Sequence, residues 1–141
     1  MRFSPFKTGF TLVEIMIVLA IVVVSAALAI PGLLRARHNA SEAMAIGSLK
    51  IISEAIETYR AGQSPPTYPP SLNDLSVAVP PYLNSVLGSG SKQGYVFTYS
   101  SGTATYHVFA NPQTSGATGT RVFYVDESGV IRLDNASGSP I

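Results

Sequence analysis

Residues 15–34 read IMIVLAIVVVSAALAIPGLL, 20 consecutive positions from Ile15 to Leu34 without a charge. Wound as a helix, the run matches the ~30 Å hydrocarbon core of a bilayer. Twelve of the 20 are Leu, Ile or Val. At about −0.3 to −0.6 kcal/mol each, they favour insertion by roughly −4 to −7 kcal/mol. Glu14 stands just outside the run at its N-terminal edge, where a carboxylate costs less than the ~2.5–3.5 kcal/mol it costs at a helix centre. Insertion outweighs the charge, and the run reads as a membrane anchor.

A secretory signal peptide is the competing reading of such a stretch. Its apolar region spans about 7–15 residues and ends in a small-residue cleavage site. Here the run is longer and passes into a charged helical pattern, which favours an uncleaved span. Arg2 and Lys7 flank one end and Arg35 and Arg37 the other, so the positive-inside bias nearly cancels. The Ser/Thr-rich remainder suits an exported domain.

Working outward toward the N-terminus, Lys7-Thr8-Gly9-Phe10-Thr11-Leu12-Val13-Glu14-Ile15 leads into the run. This segment resembles the processing motif of type IV prepilins and type II secretion pseudopilins: a short basic leader, Gly, Phe, a Glu four residues later, and an immediate apolar span. The likeness covers the first 30 residues or so closely, and the rest only in architecture. It implies that a prepilin peptidase removes residues 1–9 by cutting between Gly9 and Phe10 on the cytoplasmic side, and N-methylates Phe10. It also implies assembly through Glu14, whose partner is the Phe10 amine of a neighbouring subunit.

Elementary chemistry is consistent with those roles. Gly9 lacks a side chain, so a protease can approach its backbone closely. A cut before the apolar run leaves the anchor, residues 10–34, on the mature chain. The new Phe10 amine is positive, and Glu14 lies one helical turn on. A carboxylate within a membrane is a functional-site hypothesis once a partner can be named. The alternative for Glu14 is an interfacial residue solvated by lipid headgroups.

Toward the C-terminus the anchor is expected to continue as one helix to Ala61. Ala45, Leu49, Ile52, Ile56 and Tyr59 recur at spacings of four and three and define one face, while Glu42, Lys50, Glu54, Glu57 and Arg60 fill much of the remainder. Gly62, with Pro65 and Pro66 beyond it, is a stop signal. A helix from Phe10 to Ala61 is ~78 Å long at about 1.5 Å per residue. The roughly 80 residues that follow cannot cover it, so its apolar half needs lipid or further copies of itself. Pro31-Gly32 is expected to break or kink it, because Pro31 has no N–H for the Ala27 carbonyl; the resemblance adds that this stretch melts as the helix leaves the bilayer.

The remaining globular domain spans residues 35–141. Residues 62–94 read as a proline-rich loop with a short helical turn near Leu72–Leu75. Strands are expected at Gly94–Tyr99, Ala104–Ala110, Arg121–Val125 and Val130–Leu133, the last two joined by Asp126-Glu127-Ser128-Gly129. Asn111–Thr120 is the longest irregular connection.

Composition narrows the function. The chain has 141 residues, a formal net charge of +1 and no cysteine. Without residues 1–9 it keeps seven basic against eight acidic residues, which provides no footprint for a nucleic-acid backbone. Disulfide staples and thiolate chemistry are excluded. His38 and His107 sit in different elements with no metal spacing, and no serine stands in a nucleophile elbow. Some major pseudopilins bind calcium in a C-terminal loop, and the resemblance makes Asp126, Glu127 and Asp134 a candidate group for it. No EF-hand spacing is present, and a hairpin loop often contains Asp for its own turn.

The expected fold is α+β, a long N-terminal helix packed on a small antiparallel sheet. The expected protein is no enzyme and needs no cofactor or metal. It is a structural subunit that enters the inner membrane as a single-pass precursor surrounded by lipid. It is then polymerised with copies of itself by inner-membrane assembly machinery, into a type IV pilus-like surface filament or a periplasmic type II secretion pseudopilus. A membrane-tethered binding module is the remaining alternative.

Overall fold

The structure, a computed structural model, describes residues 9–141. Of the expected leader, residues 1–8 lie outside them. Backbone contacts divide the chain into two units that meet at Ala36 and Arg37, and helix α1 (Leu12–Ala61) contributes to both.

In the first unit every described residue is exposed. Here α1 is long and apolar enough to cross a membrane. A helix suits that environment because its backbone polar groups bond within the segment. The hydroxyl of Ser25, the polar side chain inside the run, donates to the Ile21 carbonyl at 2.8 Å. A kink or unwound turn was expected at Pro31-Gly32; both residues lie inside the continuous helix, which is not unwound there. Proline removes a single i→i−4 bond, and propagation from the bonded turns on both sides keeps the segment helical.

In the second unit the amphipathic half of α1 lies against a five-stranded antiparallel sheet. The expected apolar face is the buried one: Ala45, Leu49, Ile52 and Ile56 are nearly or fully inaccessible, and Tyr59 packs at their edge. Truncating any one of the three larger aliphatics to Ala would cost about 2–5 kcal/mol. Glu42, expected on the polar remainder, is instead 4% exposed. Helical periodicity sorted it by polarity, whereas a carboxylate enters a core once partners meet its oxygens. The helix ends where Gly62 N–H donates to the Tyr59 carbonyl at 3.0 Å and Gln63 N–H to that of Arg60 at 3.2 Å.

Residues 62–94 hold more structure than a loop. Helix α2 (Leu72–Val77) starts at Ser71, whose side chain accepts from Asp74 N–H, and α3 (Ser85–Gly88) starts at Asn84, which accepts from Leu87 N–H at 2.8 Å. Leu72, Leu75 and Leu87 reach from them into the core.

The strands are β1 (Ser91–Lys92), β2 (Tyr95–Ser101), β3 (Tyr106–Pro112), β4 (Phe123–Asp126) and β5 (Arg132–Leu133), in sheet order β1-β2-β3-β4-β5. Period-two alternation turns Tyr95, Phe97, Tyr106, Val108, Ala110, Phe123 and Val125 into the core beneath α1. Strand β1 was not expected. It pairs with β2 through the two-residue turn Gln93-Gly94, where both residues have positive φ, 49° and 82°, the geometry that matches strand twist in tight hairpins. Gly94 is doubly required there, since a Cβ would also collide with Thr118.

Candidate processing and assembly site

The expected site residues Gly9, Phe10 and Glu14 gather at the N-terminal end of α1. Gly9 and Phe10 precede the helix and are exposed, Phe10 at 81%. No described atom lies within 4 Å of where a Gly9 Cβ would stand. The scissile bond proposed from the sequence is therefore accessible, and the bareness of Gly9 serves no packing need among the described residues.

Thr11 was not singled out in the sequence, yet it organises this end. Its Oγ1 accepts the Glu14 backbone N–H at 3.1 Å, and its carbonyl accepts Ile15 N–H at 3.2 Å. Thr11 is thus the N-cap and Glu14 the third helical residue, the Thr-x-x-Glu arrangement of a capping box. The signal was legible in Thr11-Leu12-Val13-Glu14. A carboxylate in the first turn also opposes the positive end of the helix dipole. Every residue of this cap lies after the Gly9–Phe10 bond. A cut there leaves the Thr11 cap in place, with Phe10 immediately before it. Among the described residues Glu14 forms no ion pair.

The acidic residues near the last hairpin do not converge. Among the described residues no three His, Cys, Asp or Glu side chains group as metal ligands. Asp126 Oδ1 accepts from the Ser128 N–H at 3.0 Å and from the Ser128 hydroxyl, while Oδ2 accepts from Arg132 Nη1 at 3.1 Å. Burial raises the Asp126 pKa, but the Ser128 bonds and the Arg132 charge outweigh it and hold the carboxyl below its ordinary value. Asp134 adopts a left-handed turn, φ 63°, and donates its N–H to the Val122 carbonyl. The Asp126 carboxylate thus serves the hairpin itself. His107 lies on the outward face of β3 beside Phe109 and Tyr124, and His38 is half-buried on α1.

Comparison with known proteins agrees with this end of the chain. Residues 6–30 match the family described as the prokaryotic N-terminal methylation motif. The chain is 30% identical over 97 residues to the type II secretion system core protein G of Escherichia coli (strain K12), a match spanning 68% of this chain and 66% of that relative, just under two thirds of its length. No solved structure matches. With a methylation motif ahead of an apolar helix that enters a small antiparallel sheet, the chain has an α+β, pilin-like arrangement and is similar to the pilin/pseudopilin family.

Proposed function

We propose that the chain is a structural, non-enzymatic subunit, anchored in the inner membrane as a precursor. A prepilin peptidase cuts it between Gly9 and Phe10 and methylates Phe10, and copies then polymerise through the apolar half of α1 into a pilus-like filament. The observation that carries this reading is the unmatched anchor: every residue from Leu12 to Ala36 is exposed, and its many aliphatic side chains need lipid or one another as cover. In the membrane, lipid supplies that cover. In a polymer, neighbouring anchors do. Glu14 pairs with the Phe10 amine of the next subunit, since a desolvated carboxylate needs a compensating cation. The stretch at Pro31-Gly32 already lacks one helical hydrogen bond, and it is the place where α1 opens on leaving the bilayer.

A second reading, a subunit of a type II secretion pseudopilus, is favoured by the relative named above. Electron microscopy of material sheared from the cell surface separates the two. Long filaments containing this chain support the pilus, and chain found solely in the membrane and periplasmic fractions supports the pseudopilus. Mass spectrometry of assembled material is expected to show an N-terminus at methylated Phe10. Gly9→Val is expected to block the cut by obstructing backbone access, with the uncut chain still in the membrane. Assembled protein that retains Met1 would refute the processing scheme.

A further inference from the structure

A cleft of about 240 Å³ opens where the segments carrying α2 and α3 meet β2. Pro70 and the half-buried ring of Tyr99 form its apolar wall, with the buried Leu72 and Phe97 behind them. Ser71, Asn73 and Ser89 line it with polar groups. Among the described residues no carboxylate, amine, guanidinium or imidazole does. An ion entering the cleft would give up hydration with no opposite charge to replace it. The cleft therefore suits an uncharged ligand.

Its walls are fixed from within. Tyr99 donates its hydroxyl to the Pro69 carbonyl at 2.8 Å, which holds the ring. The Phe97 N–H donates to the Gly90 carbonyl at 2.7 Å and ties β2 to the turn after α3. Gly90 takes a positive φ of 76° in that turn, and Ser89 stands exposed beside it. Ser89 Oγ donates to the Val86 carbonyl at 2.7 Å and keeps its lone pairs for a further donor. Asn73 is exposed too, and its side-chain oxygen accepts from Ser76 Oγ at 3.4 Å. Its amide N–H groups remain to donate. A pre-formed apolar wall with a few placed polar groups is the general make of a small-molecule site.

We propose that this cleft binds one hexose unit of an uncharged glycan. A pyranose ring carries C–H groups on its flat faces and hydroxyls around its edge. The faces fit Tyr99 and Pro70, because an aromatic ring with one wet end takes up apolar area beside a polar rim. The hydroxyls fit the Asn73 amide and the Ser89 oxygen, since each hydroxyl both donates and accepts. The volume lies below the roughly 300–1,000 Å³ of sites for drug-sized ligands, which limits the occupant to a single ring. A proline side chain would also stack on Tyr99, but it brings no hydroxyl to the rim. The cleft lies wholly within the second unit, so its ligand is independent of processing and assembly.

The test is saturation-transfer NMR on the full chain in detergent micelles, with cellotriose as the probe. Trigalacturonate, a charged sugar, and tetraproline are the comparison ligands. Transfer is expected to the cellotriose ring protons and not to trigalacturonate. Ser89→Trp fills the cleft from its exposed rim and is expected to abolish transfer while the melting temperature stays that of wild type. Asn73→Ala leaves the cleft open and is expected to weaken cellotriose binding about threefold to tenfold, as for one lost hydrogen bond. Absence of transfer from the wild-type chain would overturn the inference. Wild-type transfer in both variants would do so as well, by placing the sugar elsewhere on the molecule. Equal transfer to trigalacturonate would show that the cleft does not select against charge. Binding of tetraproline without cellotriose would assign it to a proline-rich peptide instead.

Discussion

Glu42 Oε2 accepts the Arg121 Nε–H at 2.7 Å, and its Oε1 accepts the Thr120 N–H at 3.1 Å, so one carboxylate on α1 holds the segment leading into β4. The Thr120 hydroxyl and the Arg121 N–H also reach Oε1, at 3.2 and 3.4 Å. Burial raises the Glu42 pKa, but the Arg121 side-chain bond, the Thr120 N–H and the Arg121 charge outweigh it and bring it below its ordinary value. The same contacts tie the end of the irregular 113–120 connection to the helix. A buried acceptor with several donors specifies register better than an apolar contact, because only one placement satisfies it.

Glu42→Ala is therefore expected to destabilise the second unit by about 1–3 kcal/mol, the range for losing charge-assisted hydrogen bonds. The cost stays below that of breaking a wholly buried pair, because the Arg121 side chain is 52% exposed and regains water when released. The folded pKa of Glu42 is lowered, so its contribution is present above the unfolded value and lost as pH falls through the folded one. Urea denaturation from neutral to acidic pH should show wild type losing stability on the acid side. Glu42→Gln should start lower and lose less; an equal acid loss in that variant would place the titrating group elsewhere.

Ser53 and Tyr106 share a buried hydrogen bond of 2.8 Å between α1 and β3. Ser53→Ala would strand the tyrosine hydroxyl and is expected to cost about 1–3 kcal/mol. In the Tyr106→Phe background the same change should cost less, by about 0.5 kcal/mol or more, since nothing is left unpaired. Additive costs would show that the bond contributes no coupling. Burial pushes the Tyr106 hydroxyl up to about 12, against the downward pull of its Ser53 bond. With the folded pKa above the unfolded one, its contribution holds below the unfolded value near 10 and fades as pH rises toward 12. Tyrosinate absorbance should show one fewer late-ionising tyrosine in Tyr106→Phe than in wild type.

Glu14→Leu should leave membrane insertion intact or improve it, because a desolvation cost disappears. The Thr11 cap survives, since it uses the Glu14 backbone N–H and not its side chain. Polymer yield should fall sharply while cleavage is largely retained. Fractionation of membrane and assembled material tests this, and Thr11→Ala is the control for helix fraying alone. Normal polymer with Glu14→Leu would leave the carboxylate an interfacial residue and remove its pairing role.

Removal of residues 1–34 should yield a soluble monomer that melts cooperatively. The core of the second unit is drawn from Ala45 onward, and its earliest polar pin is Glu42, so truncation removes none of it. Circular dichroism with thermal melting reads the result, and a broad, non-cooperative transition would show that the anchor contributes to the core.

The N-terminal methylation motif was legible from the chain alone. Gly9, Phe10 and Glu14 are local in sequence, and so is the Thr11 cap, whose Thr-x-x-Glu signal went unread. The buried face of α1 was legible for a related reason: helical period and side-chain polarity are properties of neighbouring residues. Short elements were harder to read. Strand β1 has two residues and turns on Gln93-Gly94, a weaker signal than Asn-Gly or Asp-Gly, while α3 has four residues, too few for periodicity to show.

Sequence alone determined the anchor, because insertion sums the transfer free energies of adjacent side chains and needs no tertiary partner. It determined strands β2 to β5 in the same way, by alternation along β2 and β3 and by the Asp126–Gly129 loop. Tertiary structure alone decided that Glu42 is buried and that Asp126, Glu127 and Asp134 do not gather as ligands. Glu42 meets donors 78 and 79 positions away, and Asp126 is claimed by Arg132 across a hairpin. The environment of a charge is set by whatever the fold brings beside it, and local pattern carries no record of residues that meet only after the chain has closed.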